Sequence, residues 1–310
     1  MTSYLGNLTL RLSGGAARLD GDFRRRQADF FRLRQMPDGG FCGRQGPGDL
    51  YYSSFAVRGL ALMDELDEPV ARAAARFLQE KLGCPMPGID FLSLVTSAVL
   101  VELACGEDVF ASAGLEPAAA VDEALAPLGR DDGGYAKTAA GGHSSTYQTF
   151  LAVSCRQLVG AAIDEPQKTA ELIRSRQRPD GGFVELGPLA DSGTNPTAAA
   201  VGLLRLLDAL DEPVRQRASA FLAGMQNVEG GLRANGRIPA ADLLSTFTGL
   251  VALADLQAAE SVDLTAAGRY VEALELAGGG FRGGVWDAEA DVEYTFYGLG
   301  ALALLADLAP

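Results

Sequence analysis

The stretch GGGFRGGVWDAEADVEYTFYGLGALALLADL (278–308) is the clearest copy of a unit that recurs along the chain. It opens on a glycine-rich loop ending in an aromatic residue, Gly279-Gly280-Phe281. An acidic variable loop follows, then a helix that starts polar and continues as Leu, Ala and Gly. Earlier copies begin at Gly39-Gly40-Phe41, Gly133-Gly134-Tyr135, Gly181-Gly182-Phe183 and Gly230-Gly231-Leu232, in steps of 94, 48, 49 and 49 residues. The first step spans two periods. One copy has therefore lost its glycines near residue 86, where CPMPGIDFLSLVTSAVLVEL (84–103) supplies the matching helix. Six units of roughly 48 residues fill nearly all of the chain, which marks a repeat architecture.

Each unit reads as two helices. The first precedes the glycine loop, at about 21–35, 69–82, 117–128, 165–177, 213–226 and 263–276. Three of these follow Asp-Glu-Pro (67–69, 164–166, 211–213), where the acid complements the helix dipole and proline occupies the first turn at no hydrogen-bond cost. The second helix follows the loop, at about 49–66, 91–104, 144–160, 195–210, 242–257 and 291–308. These segments are apolar around most of their circumference, which is the pattern of a buried helix. Half-exposed helices alternating with buried ones predict an outer and an inner ring, an all-α, closed α/α toroid forming one domain over residues 1–310. In the Pro-Asp-Gly-Gly-Phe turns (37–41, 179–183) proline ends the outer helix, glycine supplies positive φ, and the aromatic plugs back between helices.

Composition narrows the function. The chain has 310 residues and 48% hydrophobic content, ample for a large core. A net charge of −14 and the lack of a basic stripe argue against nucleic acid as a partner. Arg24-Arg25-Arg26, interleaved with Phe23, Phe30 and Phe31, reads as the solvated face of the first helix. Four scattered cysteines without CxxC spacing fit a reduced compartment. The N-terminal MTSYLGNLTLRLSGG has no apolar signal core, and no apolar run approaches the ~20 residues of a membrane span. A cytoplasmic location is expected.

Chemistry is expected where the inner helices begin. Those starts read Asp49-Leu50-Tyr51-Tyr52-Ser53-Ser54, His143-Ser144-Ser145-Thr146, Asn195-Pro196-Thr197, Asp242-Leu243-Leu244-Ser245-Thr246 and Asp291-Val292-Glu293-Tyr294-Thr295. In a toroid they share one end and form a polar mouth above an apolar shaft. Their positive dipole ends suit an anionic head such as diphosphate, and magnesium would accompany that substrate. A carboxyl group against apolar walls would instead have a raised pKa and could donate a proton. Asp291 and Glu293 lie two apart, near the only tryptophan, Trp286; with Asp242 they are the candidate catalytic acids. Asp49, Asp242 and Asp291 are equally placed to be helix caps. His143, Tyr51 and Tyr294 are candidate substrate contacts, although a lone histidine more often lies exposed. Arg44, Arg233, Arg237 and Arg282 could grip phosphate or simply hold their loops. No spacing of His and Cys indicates a metal site.

RQMPDGGFCGR (34–44), RQRPDGGF (176–183), QNVEGGL (226–232) and GGGFRGG followed by DVEYTFYGLGAL (291–302) resemble the repeats of protein prenyltransferase β subunits and of squalene/terpene cyclases, across nearly the whole chain. The resemblance implies an α/α toroid. The prenyltransferases hold catalytic zinc with an Asp-x-Cys pair in the fifth unit and Asp-x-x-His in the sixth. Here those stretches are Asp242-Leu243-Leu244 and Asp291-Val292-Glu293-Tyr294, so the thiolate and the imidazole are missing and zinc-independent chemistry is implied. His143 lies one unit before the family's diphosphate-binding histidine. The cyclases start carbocations with Asp-x-Asp-Asp-Thr, which Asp291-Val292-Glu293-Tyr294-Thr295 resembles, with Glu293 at the proton donor's position. The leading expectation is an isoprenoid-handling enzyme, prenyltransferase-like or cyclase-like, holding a prenyl chain or prenyl diphosphate in a central apolar cavity. The alternatives are a non-catalytic toroid scaffold, with or without a partner subunit, and a carbohydrate-active α/α barrel.

Overall fold

The computed structural model describes residues 3–84 and 86–309; Pro85 of the second-unit stretch lies outside the described residues, as do Met1, Thr2 and Pro310. Helices are α1 (Tyr4–Ala16), α2 (Gly21–Arg32), α3 (Leu50–Leu62), α4 (Glu68–Leu82), α5 (Gly88–Cys105), α6 (Val109–Ser112), α7 (Pro117–Leu125), α8 (Thr146–Leu158), α9 (Pro166–Ser175), α10 (Thr194–Leu206), α11 (Glu212–Ala223), α12 (Leu243–Asp255), α13 (Leu264–Glu272) and α14 (Val292–Leu308). All twelve helices expected from the repeats are present. Two others, α1 and the short α6, lie outside the repeat pattern. Among the described residues, pairing of β type is confined to isolated bridges.

These bridges recur with the repeat. Phe41, Tyr135, Phe183 and Phe281 each bridge once to the end of the preceding helix and once to the start of the next. The backbone N–H of Phe41, Tyr135, Phe183, Leu232 and Phe281 donates to a hydroxyl one turn into the following inner helix: Ser53, Thr149, Thr197, Thr246 and Thr295, at 2.7–3.0 Å. The four threonines donate in turn to the carbonyl four residues back. Those hydroxyls are buried and satisfied. The expectation that Ser53, Thr197, Thr246 and Thr295 line a polar mouth is therefore corrected: a buried loop N–H without a partner is costly, and the hydroxyl removes that cost.

The aspartate of the turn also has a local task. Asp38 and Asp180 accept from the N–H of Gly40 and Gly182, each at 3.0 Å, which closes the Asx turn. Gly181 has φ +92°, and a Cβ there would collide with the carbonyl of Arg217 on the next outer helix. Phe183 and Phe281 are fully buried. Gly298 is the space into which the Phe281 ring fits, since a Cβ there would overlap the ring at 2.5 Å. Burying such a ring stabilises the fold by roughly 1.5–3 kcal/mol.

In two of the three Asp-Glu-Pro starts the aspartate also caps its helix: Asp67 and Asp211 accept from Val70 and Val214 N–H at the starts of α4 and α11. The third copy departs from it. Glu165 adopts φ +43° and provides no side-chain cap, and Asp164 pairs with Arg156 at 3.1 Å instead.

The chain divides into two compact units. The terminal unit comprises Gly6–Ala124 with Leu274–Pro310, and the middle unit Met1–Leu5 with Leu125–Ala273. In the terminal unit α3 packs between α5 and α14, with α4 against α5 and α2 against both α3 and α14. The last repeat docks on the first outer helix there. Glu275 accepts from Arg26 at 2.6 Å and Gln27 at 2.8 Å, and Gln27 accepts from Gly280 N–H at 2.8 Å. In the middle unit α10 packs between α8 and α12, with α9 and α11 against it.

One expectation about apolar runs is revised. Helix α5, with 18 residues, is long and apolar enough to cross a membrane. It packs on α3 and α4, as a core helix does.

Candidate active site

In the terminal unit, α3 and α14 begin side by side, and their starts bring together Tyr51, Asp291, Glu293 and Arg44. Asp291 is the N-cap of α14, accepting from Tyr294 N–H at 2.9 Å. It is 6% exposed, and burial raises its pKa above the ordinary carboxylate range against the pull of that N–H and of Arg44. Arg44 Nε lies 3.4 Å from Asp291, while the same guanidinium bonds Asp287 and the carbonyl of Glu289. The cap reading holds for all three aspartates, because Asp49 and Asp242 likewise accept from the N–H of Tyr52 and Ser245.

Glu293 is different, since capping needs only one carboxylate and Asp291 supplies it. The half-buried Glu293 accepts at one oxygen, Oε1, from Tyr51 at 2.7 Å and from Tyr297 at 3.1 Å. Burial raises its pKa, opposed by the Tyr51 bond, and the charge of Asp291 raises it further. Both hydroxyls address Oε1, which fixes the orientation of the carboxyl group. Beneath the acid the rings of Phe55, Phe296 and Tyr297 pack edge to face or tilted, with centroids 5.3–5.9 Å apart. Arg58 lies over Phe296 at 4.2 Å.

Tyr297 was not singled out in the sequence, although its position four residues after Glu293 on one helix face was a usable signal. Phe55 and Arg58 had no such signal. Tyr294 is half-buried with its ring against Gly283, where a Cβ would lie 2.6 Å from it. Gly43 makes the same room for Tyr52.

The other candidates divide by role. Arg282 donates to the Asp287 carbonyl at 3.4 Å, and Trp286 is 60% exposed in the same loop. Asp242, His143, Arg233 and Arg237 belong to the middle unit. Asp242 is raised by burial and holds Ser245 through both N–H and hydroxyl. His143 is exposed. Arg233 holds the Gly224 carbonyl at 2.8 Å, and Arg237 pairs with Asp191 at 2.7 Å, so both fix their loops. A buried network that sequence reasoning missed centres on Arg176. It bonds the Ser144 carbonyl and the Glu185 carbonyl, each at 2.8 Å, and Thr146 Oγ1 at 3.0 Å. Among the described residues, no group of three or more His, Cys, Asp or Glu is arranged to hold a metal ion.

A model of the prenyltransferase alpha-alpha toroid domain matches residues 8–239 and 164–309. The chain belongs to that family. No curated protein matches it significantly. Among solved structures, Candida albicans protein geranylgeranyltransferase-I complexed with GGPP is similar at 15% identity and TM-score 0.74, covering 91% of this chain and 90% of that one. The type II terpene cyclase MstE from Scytonema follows the fold at 15% identity and TM-score 0.62, covering 96% and 98%. The GH76A alpha-1,6-mannanase from Salegentibacter sp. does so at 12% identity and TM-score 0.66, covering 92% and 98%. At these identities the likenesses show a shared toroid fold; chemistry must be argued from the residues of each site.

Proposed function

We propose that this toroid is an isoprenoid-handling enzyme in which Glu293 is a proton donor to the double bond of a prenyl chain. The observation that carries the reading is Glu293 itself. It is a second carboxyl group, spare to the cap, kept toward its neutral form by burial and by Asp291, and oriented by two tyrosines. An acid of this kind can protonate an alkene only if it is neutral and shielded from water. In that step the carboxyl O–H bond of Glu293 breaks, the alkene π pair forms the new C–H bond, and a tertiary carbocation remains. The half-exposed ring of Tyr51 presents an electron-rich face to that cation. Loss of a neighbouring C–H proton to water ends the reaction, and water returns the proton to Glu293.

Two neighbours of similar fold are described with prenyl ligands: GGPP for the transferase and geranylgeranyl dihydroxybenzoate for the cyclase. That supports a prenyl chain as the substrate class here. Zinc does not fit this chain, because Leu244 and Tyr294 stand where a thiolate and an imidazole would be needed. Magnesium would enter only with a diphosphate head. A single domain spanning the chain and a cytoplasmic setting complete the reading. Sugar chemistry is less well supplied, as the one tryptophan sits exposed in a loop.

The test is turnover of polyprenes and prenyl diphosphates, followed by mass spectrometry, for the wild type and Glu293→Gln. The variant should lose at least about 100-fold in rate while still binding substrate. Wild-type rates in the variant would remove Glu293 as the acid. Binding without turnover by the wild type would leave a prenyl-binding scaffold.

A further inference from the structure

A cavity of about 350 Å³ lies in the middle unit, lined by the end of α11 and by two loops rather than by the inner helices. Its floor comes from α11. Phe221 and Met225 are buried there with Ala220 beside them, so the floor is apolar. The Phe221 ring is seated against Gly182, where a Cβ would stand 2.7 Å from it. A volume of this size, with an apolar body and a few polar groups, is that of a small-molecule site.

The polar groups come from two loops, and each loop brings one kind. The turn and loop around Phe183 bring carboxylates, Asp180 and Asp191. Asp180 accepts at Oδ1 from Gly182 N–H at 3.0 Å and from the Ser192 hydroxyl at 2.9 Å. The loop after Leu232 brings donors, Asn235 and Arg237. Asn235 accepts at Oδ1 from the N–H of Arg237 at 2.9 Å and of Ile238 at 3.2 Å, which fixes the loop. Among the described residues, Asp180 Oδ2, Asn235 Nδ2 and Arg237 Nε and Nη1 have no hydrogen-bond partner. The two loops meet where Arg237 pairs with Asp191 at 2.7 Å. Both side chains of that pair are exposed, and an exposed ion pair is weak enough to be exchanged.

We infer that this cavity binds a free α-amino acid with an apolar side chain. A ligand entering between the loops parts Arg237 from Asp191, and it binds best if it gives each a new partner. A carboxylate alone serves Arg237 and leaves Asp191 to water; an ammonium alone does the reverse. A zwitterion serves both at once. Its carboxylate bonds Arg237 and the Asn235 amide, and its ammonium bonds Asp191 and Asp180. The apolar side chain then covers Phe221 and Met225. The inference is independent of the isoprenoid reading, because Glu293 belongs to the other unit.

Calorimetric titration of the full chain tests this, with phenylalanine, leucine and methionine as ligands and 3-phenylpropanoate and 2-phenylethylamine as analogues carrying one charge each. The wild type should bind phenylalanine, and each analogue should bind at least about tenfold more weakly, the loss of a hydrogen-bonded charge. Arg237→Ala and Asp191→Asn, both at exposed positions, should each weaken phenylalanine binding by a similar factor. Ala220→Phe fills the cavity without touching either charge and should abolish binding at an unchanged melting temperature. No heat with any of the three amino acids, at concentrations up to solubility, would overturn the site. Equal affinity for phenylalanine and 3-phenylpropanoate would overturn the zwitterion as its ligand. Phenylalanine binding that survives Ala220→Phe would place the ligand elsewhere and overturn the cavity. If Ala220→Phe does not fold, the two charge variants decide: wild-type affinity in both would overturn the inference.

Discussion

Tyr51 donates its hydroxyl hydrogen to Glu293 at 2.7 Å although 242 residues separate them in the chain. The two residues occupy the same place in their repeats, two past the capping aspartates Asp49 and Asp291. Repetition has thus placed equivalent positions of the first and last units face to face, and divergence has made one the acid and the other its orienting donor. Tyr51→Phe should lower turnover about tenfold, the loss of one hydrogen bond to an ionisable group. Steady-state rates check this; an unchanged rate would mean that Tyr51 does not orient the acid.

Burial of Glu293 has a sign that pH can read. Its folded pKa is raised, so its contribution to stability is complete below the ordinary carboxylate range and is lost as pH rises through the folded value. Glutamine stays neutral throughout. Glu293→Gln should therefore melt within error of the wild type near about pH 4 and roughly 1–3 °C above it near about pH 8. A difference that does not grow with pH would show that Glu293 is not held toward its neutral form.

Arg44 links the first loop to Asp287 and Asp291 in the last. Its side chain is partly exposed, so Arg44→Ala should cost less than about 1 kcal/mol of stability. Without it Asp291 loses a cation that favours its charged form, and that charge helps keep Glu293 protonated. Turnover should fall several-fold, with the pH–rate profile displaced. A profile identical to the wild type would leave Arg44 with only its loop to hold.

The repeat turn makes a sharper prediction. Gly181→Ala places a Cβ against the Arg217 carbonyl at a backbone φ of +92°. It should destabilise by roughly 2–4 kcal/mol in chemical denaturation. The exposed Gly187, with no atom near its missing Cβ, should tolerate alanine.

Thr197→Val removes the acceptor of Phe183 N–H and should cost about 1–3 kcal/mol, while Thr197→Ser should recover most of it. Equal melting of the two variants would contradict the structural role assigned to these hydroxyls.

The twelve repeat helices were legible because Gly-Gly-aromatic turns and apolar runs are local signals with a fixed period. The caps at Asp49, Asp242 and Asp291 were legible for the same reason. The hydroxyls of Ser53, Thr197 and Thr295 were misread as lining a mouth, because a sequence does not show that their partners are loop N–H groups 12 or 14 residues earlier. Helix α1 was hidden because it follows no repeat. Arg233 and Arg237 have the same composition signal as phosphate binders, and only their contacts show that they hold loops.

The most direct measurement is the melting temperature of the purified chain with and without a panel of prenyl diphosphates and polyprenes. A ligand that binds the native state must raise its stability, by about 2.7 kcal/mol at 100 times its dissociation constant. A concentration-dependent rise of several degrees with at least one member of the panel is expected. No rise with any member, at concentrations up to solubility, would contradict the isoprenoid reading.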